Sequence, residues 1–446
     1  MGGTTQGVHM TSRRFKTITA AATATFAVAA LAGCSAGGAA SPSASGDGEP
    51  ITIEFWGSAL GQEKAVDTFN AAHDDVQINY TQISAGSAGG YEKMLNAVNA
   101  GNGPCLGQVS YDTIPSFATA GALEDITEFA DSSKDLFAPA AWQLASVGGQ
   151  VFGIPVDLGP MALFYRADLF QQYGLDAPAT WEDFAADAAT VHAADPNAYM
   201  TTLPLSTYDI GALAWQNGAQ WFGTEGGEWQ VDINDTASQE VADYWQGLVD
   251  DQLVVAEPAF DTAWYTSIQE GRVLSFVGAA WAVALLEQNA PGLAGKLSVA
   301  ELPQWNAGDD ASGNRGGSTN AVLKGCANPE EATEAAIWLS TNDDSVNAYI
   351  ENTGIFPASL SGQDLPVLSE GSDFFNGEKI YDVFTTAARN TPDSWVWGPN
   401  MTTLQPQIND GLKLVGAGQK TLPDLLDEAQ QSTVTTLSDQ GLTVTE

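Results

Sequence analysis

The sequence predicts an α/β fold, and three observations carry the prediction. Short runs with apolar residues at every second position alternate with longer runs at helical spacing. Strands and helices alternating at these lengths describe a sheet covered by helices. Loops rich in Gly and Asp, notably Asn306 to Gly317, separate the runs, and no internal repeat or heptad run occurs.

The elements follow in order. Ile51, Ile53 and Phe55 alternate with Thr52 and Glu54, a strand pattern. Val66 and Phe69 mark a helix, and Val76, Ile78 and Tyr80 alternate again, giving a βαβ opening. Tyr91, Met94, Leu95 and Val98 fall on one helical face, and Gly101-Asn102-Gly103-Pro104 ends that helix. A strand is predicted over Leu106 to Tyr111, with a helix after it. Thr180 with Asp183 forms a capping box opening a helix through Phe184. Val241, Tyr244, Trp245 and Leu248 repeat the helical spacing, as do Leu422, Leu425, Leu426 and Ala429.

The N-terminus has a different logic. Arg13, Arg14 and Lys16 precede a charge-free run from Ile18 to Ala30, which ends in Leu31-Ala32-Gly33-Cys34. A basic patch, a short apolar run and small residues before a cut describe a secretory signal over residues 1–33, with Met1 or Met10 as the start. The tetrapeptide resembles a bacterial lipobox, which implies that Cys34 is lipidated and becomes the first mature residue. A twin-arginine reading is disfavoured by Lys16. Residues 34–50 are almost entirely Ser, Ala, Gly and Pro and read as a flexible tether. No later run reaches the roughly 18 apolar residues of a membrane span, so the expected attachment is by lipid alone, on the outer face of the cytoplasmic membrane.

Composition narrows the partners. Fifty-five Asp and Glu stand against 15 Lys and Arg, a net charge of −40, and three of those cations lie in the leader. Such a surface repels nucleic acid and anionic lipid. Of three cysteines, Cys105 and Cys326 remain after Cys34 in an exported compartment that permits disulfides. They either pair, closing a very long loop, or stay as buried thiols. Reaction chemistry is thinly supplied. The histidines are His9, His73 and His192 alone, and no H-E-x-x-H, G-x-S-x-G, P-loop or G-x-G-x-x-G occurs. Neither a metal nor a cofactor is expected. Carboxylate pairs are too numerous for inventory to exclude a glycosidase.

The order of segments resembles the family 1 extracellular solute-binding proteins, the sugar-binding subunits of ABC importers, of which maltose-binding protein is the best-known relative. The resemblance spans residues 51–435. It rests on Ile51-Thr52-Ile53-Glu54-Phe55-Trp56-Gly57, on Tyr111-Asp112…Phe117-Ala118…Gly121-Ala122-Leu123, and on Gly153-Ile154-Pro155 with Ala162-Leu163-Phe164-Tyr165-Arg166 and Thr180-Trp181-Glu182-Asp183-Phe184. Phe276-Val277-Gly278-Ala279-Ala280-Trp281, Asn328-Pro329-Glu330-Glu331-Ala332 and Gly354-Ile355-Phe356-Pro357 complete it. Pro104-Cys105-Leu106 departs from the family's Pro-Asp-Val and suggests Cys326 as the partner of Cys105. The resemblance implies a periplasmic-binding-protein type II fold, with two lobes and a ligand cleft between them. It places residues 51–157 and 304–358 in the N-terminal lobe, and 158–303 and 359–446 in the C-terminal lobe. It further implies a monomer that delivers a neutral di- or oligosaccharide to permease subunits by hinge closure, without enzymatic activity.

A neutral sugar is met by aromatic platforms for its C–H faces and by polar side chains for its hydroxyls. Trp281, after small residues, is the leading platform, and Trp56 ends the first strand. By resemblance Asp112, beside Tyr111, falls on a sugar-binding carboxylate and Tyr208 on a cleft aromatic; Asp112 also suits a helix cap. Ser58 and Asp157 lie in loops facing the same place. Trp215 and Gln216 are candidates with core and turn as the alternatives. Trp395 and Trp397 lie in a loop as an exposed pair suited to an extended subsite. Gly316 and Gly317 permit close backbone approach or a hinge turn. Non-sugar solutes, a polyol phosphate or a polyamine, remain rivals; an anion would want cations, and only Arg166 and Arg315 lie near the lobe junction.

Overall fold

The computed structural model describes residues 50–59 and 61–445. The signal, Cys34 and all of the tether but Pro50 lie outside the described residues. An eight-stranded mixed sheet organises the molecule. Its strands are β1 (Ile51–Gly57), β2 (Val76–Gln82), β3 (Leu106–Ser110), β4 (Gly153–Arg166), β5 (Ser275–Ala279), β6 (Leu297–Ala300), β7 (Asn314–Val322) and β8 (Phe356–Pro357). β1 runs parallel to β2 and to β3, as the βαβ opening requires. β7 then pairs antiparallel with β3 and β4.

β4 is the spine of a two-lobed molecule. Its first half pairs with β7 and β8, and its second half, from Met161 to Arg166, pairs with β5 and β6. A strand buried on both faces reads as a nearly continuous apolar run. Every residue of β4 is buried except Asp157 and Tyr165.

β7 crosses beside β4 and breaks register between Asn314 and Gly317, and again between Ser318 and Thr319. The predicted loop Asn306–Gly317 is therefore corrected: its last four residues belong to a bulged strand. The glycines that suggest a loop serve the bulge, since Gly316 and Gly317 sit at φ 90° and 97°. A Cβ on Gly317 would lie 2.6 Å from the Tyr111 ring and from the Asp157 carbonyl. Asn314 secures the turn, accepting from the Gly159 amide at 2.8 Å and donating to the Gly316 carbonyl at 2.8 Å. The strand predicted to Tyr111 ends at Ser110.

Helices cover the sheet where the periodicity predicts them. The capping box at Thr180 is formed, with both reciprocal bonds to Asp183. Val241, Trp245 and Leu248 are buried on helix Thr236–Asp250, and Leu422, Leu425, Leu426 and Ala429 on helix Leu422–Asp439. Cys105 and Cys326, just before β3 and just after β7, form a disulfide across neighbouring strands. It links positions 221 residues apart. A constraint on so long a loop acts mainly on the unfolded chain. Replacing both cysteines by Ala is expected to cost about 2–5 kcal/mol, read as a lower midpoint in guanidinium unfolding.

Candidate functional site

A polar face is built where β1, β3, β4 and β7 lie side by side. Gln108 on β3 accepts from the Ser58 amide at 3.0 Å and its hydroxyl at 3.1 Å, which fixes the turn after β1. Its amide nitrogen approaches Ser318 Oγ at 3.4 Å, and Ser318 donates to Asp157 Oδ1 at 2.6 Å. The row Ser58–Gln108–Ser318–Asp157 thus links the turn after β1 to β3, β7 and β4. Asp157 is the half-buried break in an otherwise buried strand, and burial pushes its carboxyl up to about 6.

That shift has a sign. A carboxyl raised from 3.8 to about 6 holds its proton longer folded than unfolded. Its contribution to stability is complete below about pH 4 and is lost as pH rises through about 6. Asp157→Asn is therefore expected to flatten that part of the ligand-free stability profile, measured as the difference from the parent in urea midpoints at pH 4 and pH 7.

Asp112 follows β3, and Tyr208 of helix Thr207–Gln216 donates to its Oδ2 at 2.8 Å. This bond joins the segment after β3 to that helix, 96 residues further along the chain. Burial raises the Asp112 carboxyl, and bonds from Ser110, Tyr208 and Thr113 oppose the rise. Tyr208 also packs edge-on against Trp397, with ring centroids 5.8 Å apart.

The opposite face centres on Arg315 of β7. Asp209, next to Tyr208, brings Oδ1 to 2.6 Å from Arg315 Nε, and each side chain is only 13% exposed. Burial raises Asp209, and Arg315 pulls it back down. The guanidinium lies over Trp281 at 4.8 Å and Phe260 at 5.5 Å, while Trp281 Nε1 donates to the Arg315 carbonyl at 3.0 Å. Phe260 holds φ 68°, a left-handed conformation costly for a bulky residue. Its ring meets Trp281 at 5.2 Å.

The structure thus gathers Ser58, Asp112, Asp157, Tyr208, Trp281, Gly316 and Gly317 around the crossing strands. It places others elsewhere. Trp395 and Trp397 are not an exposed pair: Trp395 stacks on Trp215 at 5.3 Å and is fully buried, and Trp397 is 5% exposed. Trp215 is core, donating to the Pro392 carbonyl at 2.8 Å. Gln216 is buried and committed, accepting from Trp181 Nε1 and donating to the Pro303 and Ala311 carbonyls. Tyr111 lies in the core beneath Gly317, and burial raises its phenol well above the usual range. Trp56 is half-buried beside Met94 and Val109, with Lys93 Nζ 4.3 Å above its ring. Sequence reasoning missed Gln108, Ser318, Asp209 and Phe260; adjacency to Tyr208 in one helical turn was the available signal for Asp209. Among the described residues no group of three or more His, Cys, Asp or Glu is placed to hold a metal.

The fold is matched by known proteins. The family described as bacterial extracellular solute-binding protein matches residues 58–345. The chain belongs to that family. An arabinooligosaccharide-binding protein of Halalkalibacterium halodurans is 25% identical over 304 residues, 66% of this chain and 67% of the relative. A lactose-binding protein of Rhizobium radiobacter is 24% identical over 354 residues, 75% of this chain and 81% of the relative. Among solved structures, the galacto-N-biose/lacto-N-biose I-binding protein of an ABC transporter from Bifidobacterium longum, in complex with lacto-N-biose, superposes with TM-score 0.78 at 28% identity. That match covers 90% of this chain and all of the other.

Proposed function

We propose that this chain is the substrate-binding subunit of an ABC importer, and that it binds a neutral di- or oligosaccharide between its lobes without transforming it. The observation that carries the reading is the charge balance at the junction. Asp112 and Asp157 offer acceptors to hydroxyls, and Trp281 offers an aromatic surface. Both nearby cations are already committed: Arg315 to Asp209, and Arg166 to Asp168 and the Ile268 carbonyl. A guanidinium whose charge is balanced by a carboxylate attracts an anion less than a free one, which disfavours the anionic rival. The lactose- and arabinooligosaccharide-binding relatives support the same class.

In this reading residues 51–157 and 304–358 form one lobe, and 158–303 and 359–446 the other. The protein works as a monomer beside its permease, tethered by lipidated Cys34 on the outer face of the cytoplasmic membrane. Among the described residues no helix is long and apolar enough to cross a membrane. Cys34→Ala is expected to release the protein into the medium and to abolish labelling by a fatty-acid analogue; retention with labelling overturns the anchor.

A thermal-shift panel tests the ligand class. Neutral glycans, uronates, polyol phosphates and polyamines are compared at equal concentration. A ligand at one hundred times its Kd adds about 2.7 kcal/mol of stability. A shift by neutral glycans alone is expected; a shift by polyamines or phosphates instead overturns the reading. Release of reducing ends on prolonged incubation transfers the chain to the glycosidases.

A further inference from the structure

A space opens between segments 118–152 and 224–229, which the reading above assigns to different lobes. Its volume is about 430 Å³, within the roughly 300–1,000 Å³ typical of small-ligand pockets. Two hairpins face each other across it. One joins Ser146–Val147 to Gln150–Val151, and the other joins Phe222–Glu225 to Glu228–Val231. Their tips are Gly148-Gly149 and Gly226-Gly227, at φ 59°, 81°, 61° and 89°. Paired positive φ values at a two-residue tip make the tight turn that keeps strand twist. They also leave the backbone bare. A Cβ on Gly149, Gly226 or Gly227 would meet nothing within 4 Å, whereas one on Gly148 would reach Thr224 Oγ1 at 4.0 Å. The hairpins therefore meet at one point and stand open beside it.

The lining suits a hydroxyl-rich neutral molecule. Phe152 and Trp229 reach the lining but are themselves largely buried, and Gln150, Thr224 and Thr119 give polar edges. Glu228 is the one charged residue of the lining, so an anion finds no partner there.

Both walls lead back to the first site. On one lobe, helix Ile114–Thr119 starts two residues after Asp112 and ends at the space, which is about 9 Å for six residues. On the other, Phe222 packs so closely on Gly398 that a Cβ there would lie 2.3 Å from its ring. Gly398 adjoins Trp397, which packs on Tyr208.

We propose that this space is a second carbohydrate subsite, taking the outer residues of a ligand longer than a disaccharide. The proposal rests on the sugar-binding reading above. It moves the extended subsite from the buried Trp395 and Trp397 to the hairpins. Because both lobes supply the walls, a sugar seated there favours closure.

The test uses the full mature chain and three probe series of two to five units: α-1,5-arabinan, β-1,4-galactan and malto-oligosaccharides. Titration calorimetry on the parent is expected to show at least tenfold tighter binding of the tetramer than of the dimer in the series that binds. Thr224→Trp, which fills the space, is expected to remove that gain while leaving dimer affinity within twofold. Gln150→Ala, at an exposed position, should reduce the gain severalfold. Hydrogen exchange at 148–150 and 224–228 is expected to slow with the tetramer and not with the dimer. Equal affinity at all lengths, or a length effect that both variants preserve, overturns the subsite and leaves the sugar reading intact. Failure of every glycan to bind the parent overturns both.

Discussion

Asp112→Ala and Trp281→Ala are each expected to weaken sugar binding more than tenfold, by different physics. Asp112 supplies a charge-assisted acceptor, and such bonds are worth about 1.5–3 kcal/mol. One decade of affinity is about 1.4 kcal/mol, so loss of one bond suffices. Asp112 also accepts from Tyr208 at 2.8 Å, across the proposed lobe boundary. The alanine variant therefore loses a contact of the closed state as well as a contact to sugar. Tyr208→Phe separates the two, since it deletes the cross-lobe bond and keeps the carboxylate. It is expected to lose less affinity than Asp112→Ala. Trp281→Ala removes a flat apolar surface whose indole is oriented by the Arg315 carbonyl. Its effect should be similar in size. Titration calorimetry with the glycan found by the panel reads all three. Binding within twofold of the parent in both alanine variants removes Asp112 and Trp281 from the site.

The difference between what the chain reveals and what it hides follows from the range of the interactions. Asp112 and Tyr208 were reached through the family resemblance, and no local rule singles either out as facing a ligand: Asp112 lies two residues past the end of a strand, and Tyr208 lies in the first turn of a helix capped by Ser206. The capping box at Thr180 and the apolar faces of the helices, by contrast, are properties of a few neighbouring residues. Trp395 and Trp397 misled because burial in a loop leaves no periodic trace. Trp215, brought from 180 positions away, covers Trp395. Gly316 and Gly317 spelled a loop in a segment that pairs as a bulged strand, since the same positive φ serves both. Phe260 carries no sequence signal at all. Its left-handed backbone is imposed by packing against Trp264, Phe276 and Trp281.

The Asp209–Arg315 pair is the clearest case of a hidden element, and Asp209→Ala is expected to be among the most destabilising single changes near the cleft. Coulomb attraction at 2.6 Å is strong wherever water is scarce, and both side chains are 13% exposed. The worth of the intact pair is nonetheless offset by the cost of drying both charges. Removing one partner is different, because the guanidinium then stays against Trp281 and Phe260 with no counter-ion. Breaking a buried pair in this way costs about 3–5 kcal/mol, and the residual exposure here points to the lower end, about 3 kcal/mol. Arg315 carries hydrocarbon against two rings, so its packing survives replacement by Met. The double variant Asp209→Leu with Arg315→Met is therefore expected to regain most of the loss in urea unfolding. Equal destabilisation of the single and double variants would show that shape, not charge, holds this corner. The same pair sets selectivity. Asp209→Asn keeps the shape and frees the cation, so it should admit a uronate-containing disaccharide that the parent rejects. Binding of that uronate by the parent as tightly as by the variant would show that Asp209, one residue beyond Tyr208, does not hold Arg315 back from an anion.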